Sequence, residues 1–471
     1  MVSRRAVLQS IGASTLATAT LAAAQAPPTI DGVRFIQASD TRSAPLSVGY
    51  SHAFIQTPRL RALCSSARGV AGVVRWARER NLGFAIRSGG HCFTGFSQHA
   101  DLVIDLRELN MIRFEPDAGT VTIGAGALLG TVARYLAEHG VSVPGGICAT
   151  VGMAGQTLGG GIGYFSRQGG LLADQLLSLR MVTAAGDLID VSESRHPDLF
   201  WACRGAGNGN LGIVTDLRFR VASMPPMSLV RVVEPVEAVR AAEILYLWQH
   251  RCQLWPRHTV LHLRISKRTD TTFLIILEGL SGWPTGDLAE ELSLVLRTTR
   301  ERVLNDIHSG SFAKLTQRMM PSDVQIGGIL LSHSHLFEEP VGERGTLDIL
   351  SMLIGQPAGR VHLNIEPMGG AIADVAPDAT AFPHRATSFS IQSQAFLRDD
   401  DDRDALIRSN EAMRQVLEPL ATGGVYVNYP DLTLTGWGQK YWGENLPRLK
   451  AIKASYDPDT VFDHAQSIAR A

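Results

Sequence analysis

The sequence has no long apolar run past its N-terminus, no excess of charge, few cysteines and few aromatic residues. Lysine and arginine total 44 against 45 aspartates and glutamates, a formal net charge of −1 over 471 residues. No basic stripe with interleaved aromatics appears, so nucleic-acid binding has no support. The five cysteines are too sparse for a disulfide scaffold. The nearest pair, Cys64 and Cys92, is 28 residues apart, which leaves no CxxC metal or redox motif and no metal site to expect. There is no P-loop, no HExxH and no complete GxSxG. Internal repeats and low-complexity tracts are also missing. What is present is an ordinary globular balance, 45% hydrophobic and 19% charged. The length suffices for about two to three domains.

The first 26 residues read as an export signal. Ser3-Arg4-Arg5 precedes a mildly apolar run from Ile11 to Ala24, too short to span a bilayer at about 20 residues. Small residues at Ala22-Ala23-Ala24 or Ala24-Gln25-Ala26 offer a cleavage site. The paired arginines resemble a twin-arginine signal, with an ordinary secretory signal as the alternative. The expected location is therefore periplasmic or secreted, with the export machinery as a partner and no membrane span.

Glycine is the residue in surplus. There are 46, and residues 145–170 hold ten of them in 26 positions. Such a stretch lets backbone N–H groups approach an anion without Cβ obstruction; the alternative is a tight turn in a crowded core. One GxGxxG exists, at Gly207, Gly209 and Gly212. It follows helix-like Pro197 to Cys203 and leads into strand-like Ile213-Val214. A dinucleotide fingerprint needs strand before helix, so a Rossmann reading fails.

Periodicity divides the rest into parts. Val70, Val73, Val74 and Ala77 sit at helical spacing, while 83–86, 101–106 and 120–124 read as short strands, and 128–139 reads as a helix. This α+β pattern runs to Met224-Pro225-Pro226, which marks a boundary. Beyond it, Leu261, Leu263 and Ile265 alternate with His262, Arg264 and Ser266. Val361, Leu363 and Ile365 alternate with His362, Asn364 and Glu366. Phe389 and Ile391 alternate with Ser390, Gln392 and Gln394. Each strand offers one apolar and one polar face, and helical stretches near 285–300 and 403–419 would cover the apolar side. The polar face suits a polar organic ligand, or is simply solvated. The expected parts are 27–224, 225–424 and a C-terminal 425–471, in which 426–429 is strand-like and 446–452 helical.

The ordered motifs resemble a known family. Arg87-Ser88-Gly89-Gly90-His91 is similar to the flavin-attachment loop of the vanillyl-alcohol-oxidase superfamily. Pro144-Gly145-Gly146-Ile147-Cys148-Ala149-Thr150-Val151-Gly152-Met153-Ala154-Gly155, followed by Leu158-Gly159-Gly160-Gly161-Ile162-Gly163, resembles its second FAD segment. Asp198 to Gly205, through Gly212-Ile213-Val214, resembles the third. Pro367-Met368-Gly369-Gly370, Thr380 to Arg385, Tyr426-Val427-Asn428-Tyr429 and Tyr456-Asp457-Pro458 resemble the berberine-bridge-enzyme and glucooligosaccharide-oxidase branch. The resemblance implies a two-subdomain PCMH-type FAD-binding domain. It also implies a substrate domain built on a large antiparallel sheet covered by helices.

It implies FAD held by two bonds, from a ring nitrogen of His91 and from the sulfur of Cys148, which stands three residues before Val151 and four before Gly152. Cys92 lies outside the pattern. Tyr429 maps to the base, with Glu366 as its acidic partner. A free phenol near pKa 10 needs positive charge or hydrogen bonding to act so, and the charge of Glu366 would oppose a phenolate. Gln392, Gln394, Asn364 and His362 are substrate-face candidates. The implied activity is oxidation of a hydroxyl of a sugar or other alcohol, with O2 as acceptor giving hydrogen peroxide. The alternatives are a dehydrogenase using another acceptor and a flavin-free binding protein on the same scaffold.

Overall fold

A computed structural model describes residues 27–320, 328–398 and 402–471; the expected export signal at 1–26 lies outside the described residues. The first sheet contains β1 (Val33–Gln37), β2 (Leu60–Cys64), β3 (Phe84–Arg87) and β4 (Leu102–Asp105) in the order β1-β2-β4-β3. β2, β4 and β3 run parallel, which requires crossovers. One crossover is the helix Ala67–Glu79. The Ser66 hydroxyl caps it by accepting from the Gly69 amide at 3.0 Å, and it buries the predicted Val70, Val73, Val74 and Ala77. The tight loop after β3 carries His91.

The second sheet is antiparallel. Its strands are β5 (Ile112–Glu115), β6 (Thr120–Gly124), β8 (Leu176–Val182), β9 (Leu188–Ser192) and β10 (Ile213–Arg220), ordered β5-β6-β10-β8-β9. A ribbon of β7 (Val141–Ser142) and β11 (Ala222–Ser223) stands beside it. One core joins these two sheets: Val74, Ile104, Val121, Leu179 and Phe219 all belong to it.

The third sheet is wholly antiparallel among the described residues. It contains β12 (Met227–Glu237), β13 (Thr259–Lys267), β14 (Thr272–Ser281), β15 (Ile307–Gly310), β16 (Ile329–Phe337), β17 (Val361–Pro367) and β18 (Phe389–Phe396). Their order is β15-β12-β14-β13-β17-β18-β16. The expected alternation holds. Leu261, Leu263, Val361, Leu363, Phe389 and Ile391 enter a second core, closed by the helices Ala238–Arg251, Thr285–Leu296, Glu343–Ile354 and Arg403–Leu417. The opposite face carries Arg264, Asn364, Glu366, Gln392 and Gln394 into a cavity. The α+β architecture with a helix-covered antiparallel sheet is therefore the observed one.

The C-terminal segment packs back on the first core through Val425, Tyr441, Trp442, Leu449 and Phe462. The buried Lys453 ammonium ties it down, donating to Asn210 O and Phe462 O, each at 2.7 Å, and to Asp457. The strand expected at 426–429 is instead a turn, in which the Tyr429 amide bonds Tyr426 O at 2.9 Å. The Tyr426 amide donates to Ser334 Oγ rather than to a neighbouring strand. The alternating bulky residues that mimic a strand serve packing on both sides of the turn.

Candidate active site

A cavity of about 610 Å³ lies between the glycine loops of the first two sheets and the polar face of the third. That volume falls within the range of small-molecule and cofactor sites. Ser88, Gly89, Gly90 and His91 form one wall. Cys148, Val151, Gly152 and Gly155 form the next, and Gly212, Ile213, Val214, Tyr426 and Asn428 close a third side. The first two loops touch. A Cβ on Gly89 would strike the Gly152 amide, and Gly90 sits at φ +73° with the Arg87 guanidinium where a side chain would be. Only glycine fits there.

His91 stacks on Tyr50 with ring centroids 3.7 Å apart. Its Nε2 is buried without a hydrogen-bond partner among the described residues. Burial pulls its pKa down to about 3, which keeps the imidazole neutral and nucleophilic. Burial pushes the Cys148 thiol up to about 11, and the charge of Arg264 works against that rise. All five cysteines are free, with Cys64, Cys203 and Cys252 buried and Cys92 and Cys148 half-buried.

Tyr429 and Glu366 form a hydrogen-bonded pair in the same cavity. The Tyr429 hydroxyl donates to Glu366 at 3.0 Å (Oε1) and 3.3 Å (Oε2). Asn364 Nδ2 donates to Glu366 Oε1 at 3.1 Å, and Ser390 Oγ donates to Oε2 at 3.2 Å. Burial raises the Glu366 pKa, against the hydrogen bonds from these three residues. Tyr429 is pushed well above 10 by burial first and then by the charge of Glu366. The sequence asks for a positive neighbour to favour a phenolate. The geometry supplies a carboxylate instead, so the proton rests on Tyr429 and the acceptor is Glu366.

Gln392 lines the cavity and donates to Ser332 Oγ at 2.7 Å. Gln394 and His362 lie on the same wall, and His362 Nε2 donates to Gly359 O at 3.3 Å. Several expected residues stand behind the wall. The Arg87 guanidinium donates to Val48 O at 2.6 Å. The Gly161 amide donates to Tyr426 Oη at 2.9 Å and that of Gly163 to Ser166 Oγ at 2.9 Å. Gly159 is packed against the Asn428 side chain and Gly160 against Phe382. These glycines serve close packing, the alternative open in the sequence. Sequence reasoning missed Tyr50, Tyr164, Arg264 and Glu278 on the wall. For Arg264 a signal existed: it shares the polar parity of β13 with His262 and Ser266.

Sequence profiles match two regions: an "FAD binding domain" family at residues 58–192 and a "Berberine and berberine like" family at 425–469. An uncharacterized FAD-linked oxidoreductase of Bacillus subtilis (strain 168), YgaK, is 31% identical over 431 residues, 87% of this chain and 91% of that one. The chain belongs to the berberine-bridge-enzyme-like FAD-linked oxidoreductases. A monolignol oxidoreductase of Arabidopsis thaliana, AtBBE-like 13, is 28% identical over 85% of this chain and 81% of its own. The fold likeness is close: the BBE-like 1 protein of Physcomitrella patens superposes with a TM-score of 0.85 at 24% identity, covering 93% of this chain and 97% of that one. Berberine bridge enzyme from Eschscholzia californica gives 0.80 at 23%, covering 91% and 93%. The cofactor of this BBE-like chain is therefore FAD. The contacting glycine loops and the unpartnered His91 nitrogen fit it. No helix among the described residues is long and apolar enough to cross a membrane.

Proposed function

We propose that the chain is an exported oxidase whose FAD is bonded at both His91 and Cys148, and that it oxidises a hydroxyl of a sugar or other alcohol, with O2 as acceptor and hydrogen peroxide as product. On this reading residues 1–26 are the twin-arginine signal, 27–224 the FAD-binding domain, 225–424 the substrate domain and 425–471 the segment that returns Tyr429 to the cavity. The observation that carries it is the Tyr429–Glu366 pair, set in the same cavity as His91 and Cys148.

Bound FAD supplies the acceptor for a hydride leaving the carbinol carbon. The protein handles the hydroxyl proton. Tyr429 hydrogen-bonds the substrate oxygen, takes its proton and passes its own to Glu366 Oε1. Glu366 is suited to this end point, because burial raises its proton affinity while Asn364 and Ser390 fix its orientation. Gln392, Gln394 and His362 would orient the remaining hydroxyls. The neutral His91 imidazole is already a nucleophile. Cys148 must first lose a proton, and Arg264 is the charge that favours its thiolate.

The test is a panel of hydroxyl compounds, with bleaching of the yellow colour recorded without oxygen and peroxide recorded in air. Bleaching with peroxide formation supports the oxidase; bleaching with dye reduction but no peroxide makes it a dehydrogenase. A purified protein with no flavin overturns both.

A further inference from the structure

Arg264 on β13 faces Asn364 of β17 in the antiparallel register, and Glu366 lies two residues further along β17. Such diagonal neighbours stand about 7–8 Å apart. Side chains join them: Arg264 Nε donates to Asn364 Oδ1 at 3.3 Å, and Asn364 Nδ2 donates to Glu366 Oε1 at 3.1 Å. One run of hydrogen bonds therefore extends from Arg264 to Tyr429.

The rest of the Arg264 fork makes no hydrogen bond among the described residues. Guanidinium carries five donors in one plane. Its Nη2 is 3.8 Å from Glu278 Oε1, beyond hydrogen-bond range. Glu278 is already engaged by Arg231 Nε at 3.1 Å and by the Tyr164 hydroxyl at 3.3 Å. Two guanidiniums thus share the Glu278 carboxylate at this end of the cavity. The Arg264 side chain keeps 38% of its surface open, on the cavity wall. A planar cation so placed matches a planar anion in a two-pronged pair.

Resting on the oxidase reading, we propose that the substrate is a hydroxy acid whose carboxylate pairs with Arg264 while its reacting hydroxyl meets Tyr429. The hydrogen-bonded run and the shared cavity put Arg264 and Tyr429 within reach of one small molecule, and a hexuronic acid is the simplest ring that carries both a carboxylate and an oxidisable hydroxyl. Arg264 is then the residue that separates acidic from neutral sugars.

The experiment compares D-glucuronate and D-galacturonate with D-glucose and D-galactose on the holoenzyme, reading kcat/KM for flavin reduction. The acids should exceed their neutral counterparts by at least about 10-fold, the range expected for a charge-assisted contact. R264Q should collapse that ratio towards unity, and R264K should restore part of it. Flavin content is measured in each variant, because Arg264 also neighbours Cys148. Equal rates for acids and neutral hexoses, or an unchanged ratio in R264Q, overturn the inference and leave the oxidase standing. Should no sugar reduce the enzyme, glucuronate is titrated against the flavin absorption of the holoenzyme. Saturable binding weakened about 10-fold in R264Q then supports Arg264 as an acid site while oxidation of these sugars falls. No binding, or equal binding in both proteins, overturns the acid site as well.

Discussion

Replacing Tyr429 with Phe removes one oxygen and nothing else from the cavity. That oxygen donates to both carboxylate oxygens of Glu366, at 3.0 and 3.3 Å. Glu366 keeps the bonds from Asn364 and Ser390, so it stays oriented but loses its link to substrate. The lost hydrogen bond to a charged group costs about 1.5–3 kcal/mol of stability. The ring still packs on Phe93, with centroids 5.7 Å apart, so the fold and the flavin should persist. Catalysis should suffer more. Loss of a positioned acid–base group slows proton-coupled steps about 10²- to 10⁴-fold. The assay is anaerobic stopped-flow at saturating substrate, following flavin absorbance. In the wild type the rate should fall as the pH drops below the raised Glu366 pKa, because a protonated acceptor cannot take the proton. In Y429F that limb should flatten along with the lower rate. A Y429F protein reduced at close to the wild-type rate, with the same pH limb, refutes the relay.

Glu366→Gln should slow flavin reduction comparably. It should also raise the melting temperature at pH 7.5 but not at pH 4. The folded-state pKa is raised, so the cost of burying the charge is present above that pKa and absent where both states are protonated. His91→Ala and Cys148→Ala should each keep flavin in an acid-precipitated pellet through the remaining bond, and the double variant should release it to the supernatant. Arg385→Met breaks a buried two-pronged pair with Asp174, both contacts at 2.8 Å, and should cost about 3–5 kcal/mol in denaturant titration. Asp431→Asn weakens the clamp on the Tyr429 turn, where Asp431 accepts from His333 Nδ1 at 2.5 Å and from Thr433 N at 2.8 Å. It should lower kcat about 10- to 100-fold by displacing Tyr429, with flavin content unchanged.

Much of this arrangement is legible in the sequence because two kinds of signal are local. Period-two alternation in 261–266, 361–366 and 389–394 places the polar face of the third sheet, and the structure puts that face on the cavity. The helix at 67–79 follows from four apolar positions at helical spacing, and the structure adds the Ser66 cap. Where local signals mislead, tertiary contacts are the cause. The residues 426–429 read like a strand, yet they pack a turn between two parts of the molecule. The glycines at 155–163 suggest an anion cradle or a tight turn in a crowded core; Gly159, Gly160 and Gly161 are close to Asn428, Phe382 and Tyr426, none of which is near in sequence. The pairing of Tyr429 with Glu366 spans 63 residues, and no spacing rule gives the direction of its hydrogen bond. Arg264 was visible as a polar strand residue, but its uncommitted fork depends on Arg231 and Tyr164 having taken Glu278.

Tryptic digestion of the mature protein followed by mass spectrometry tests the central claim most directly. The account predicts one flavin-bearing species in which the peptide containing His91 and the peptide containing Cys148 are joined through a single flavin. Recovery of both peptides at their unmodified masses from flavin-loaded protein would contradict it.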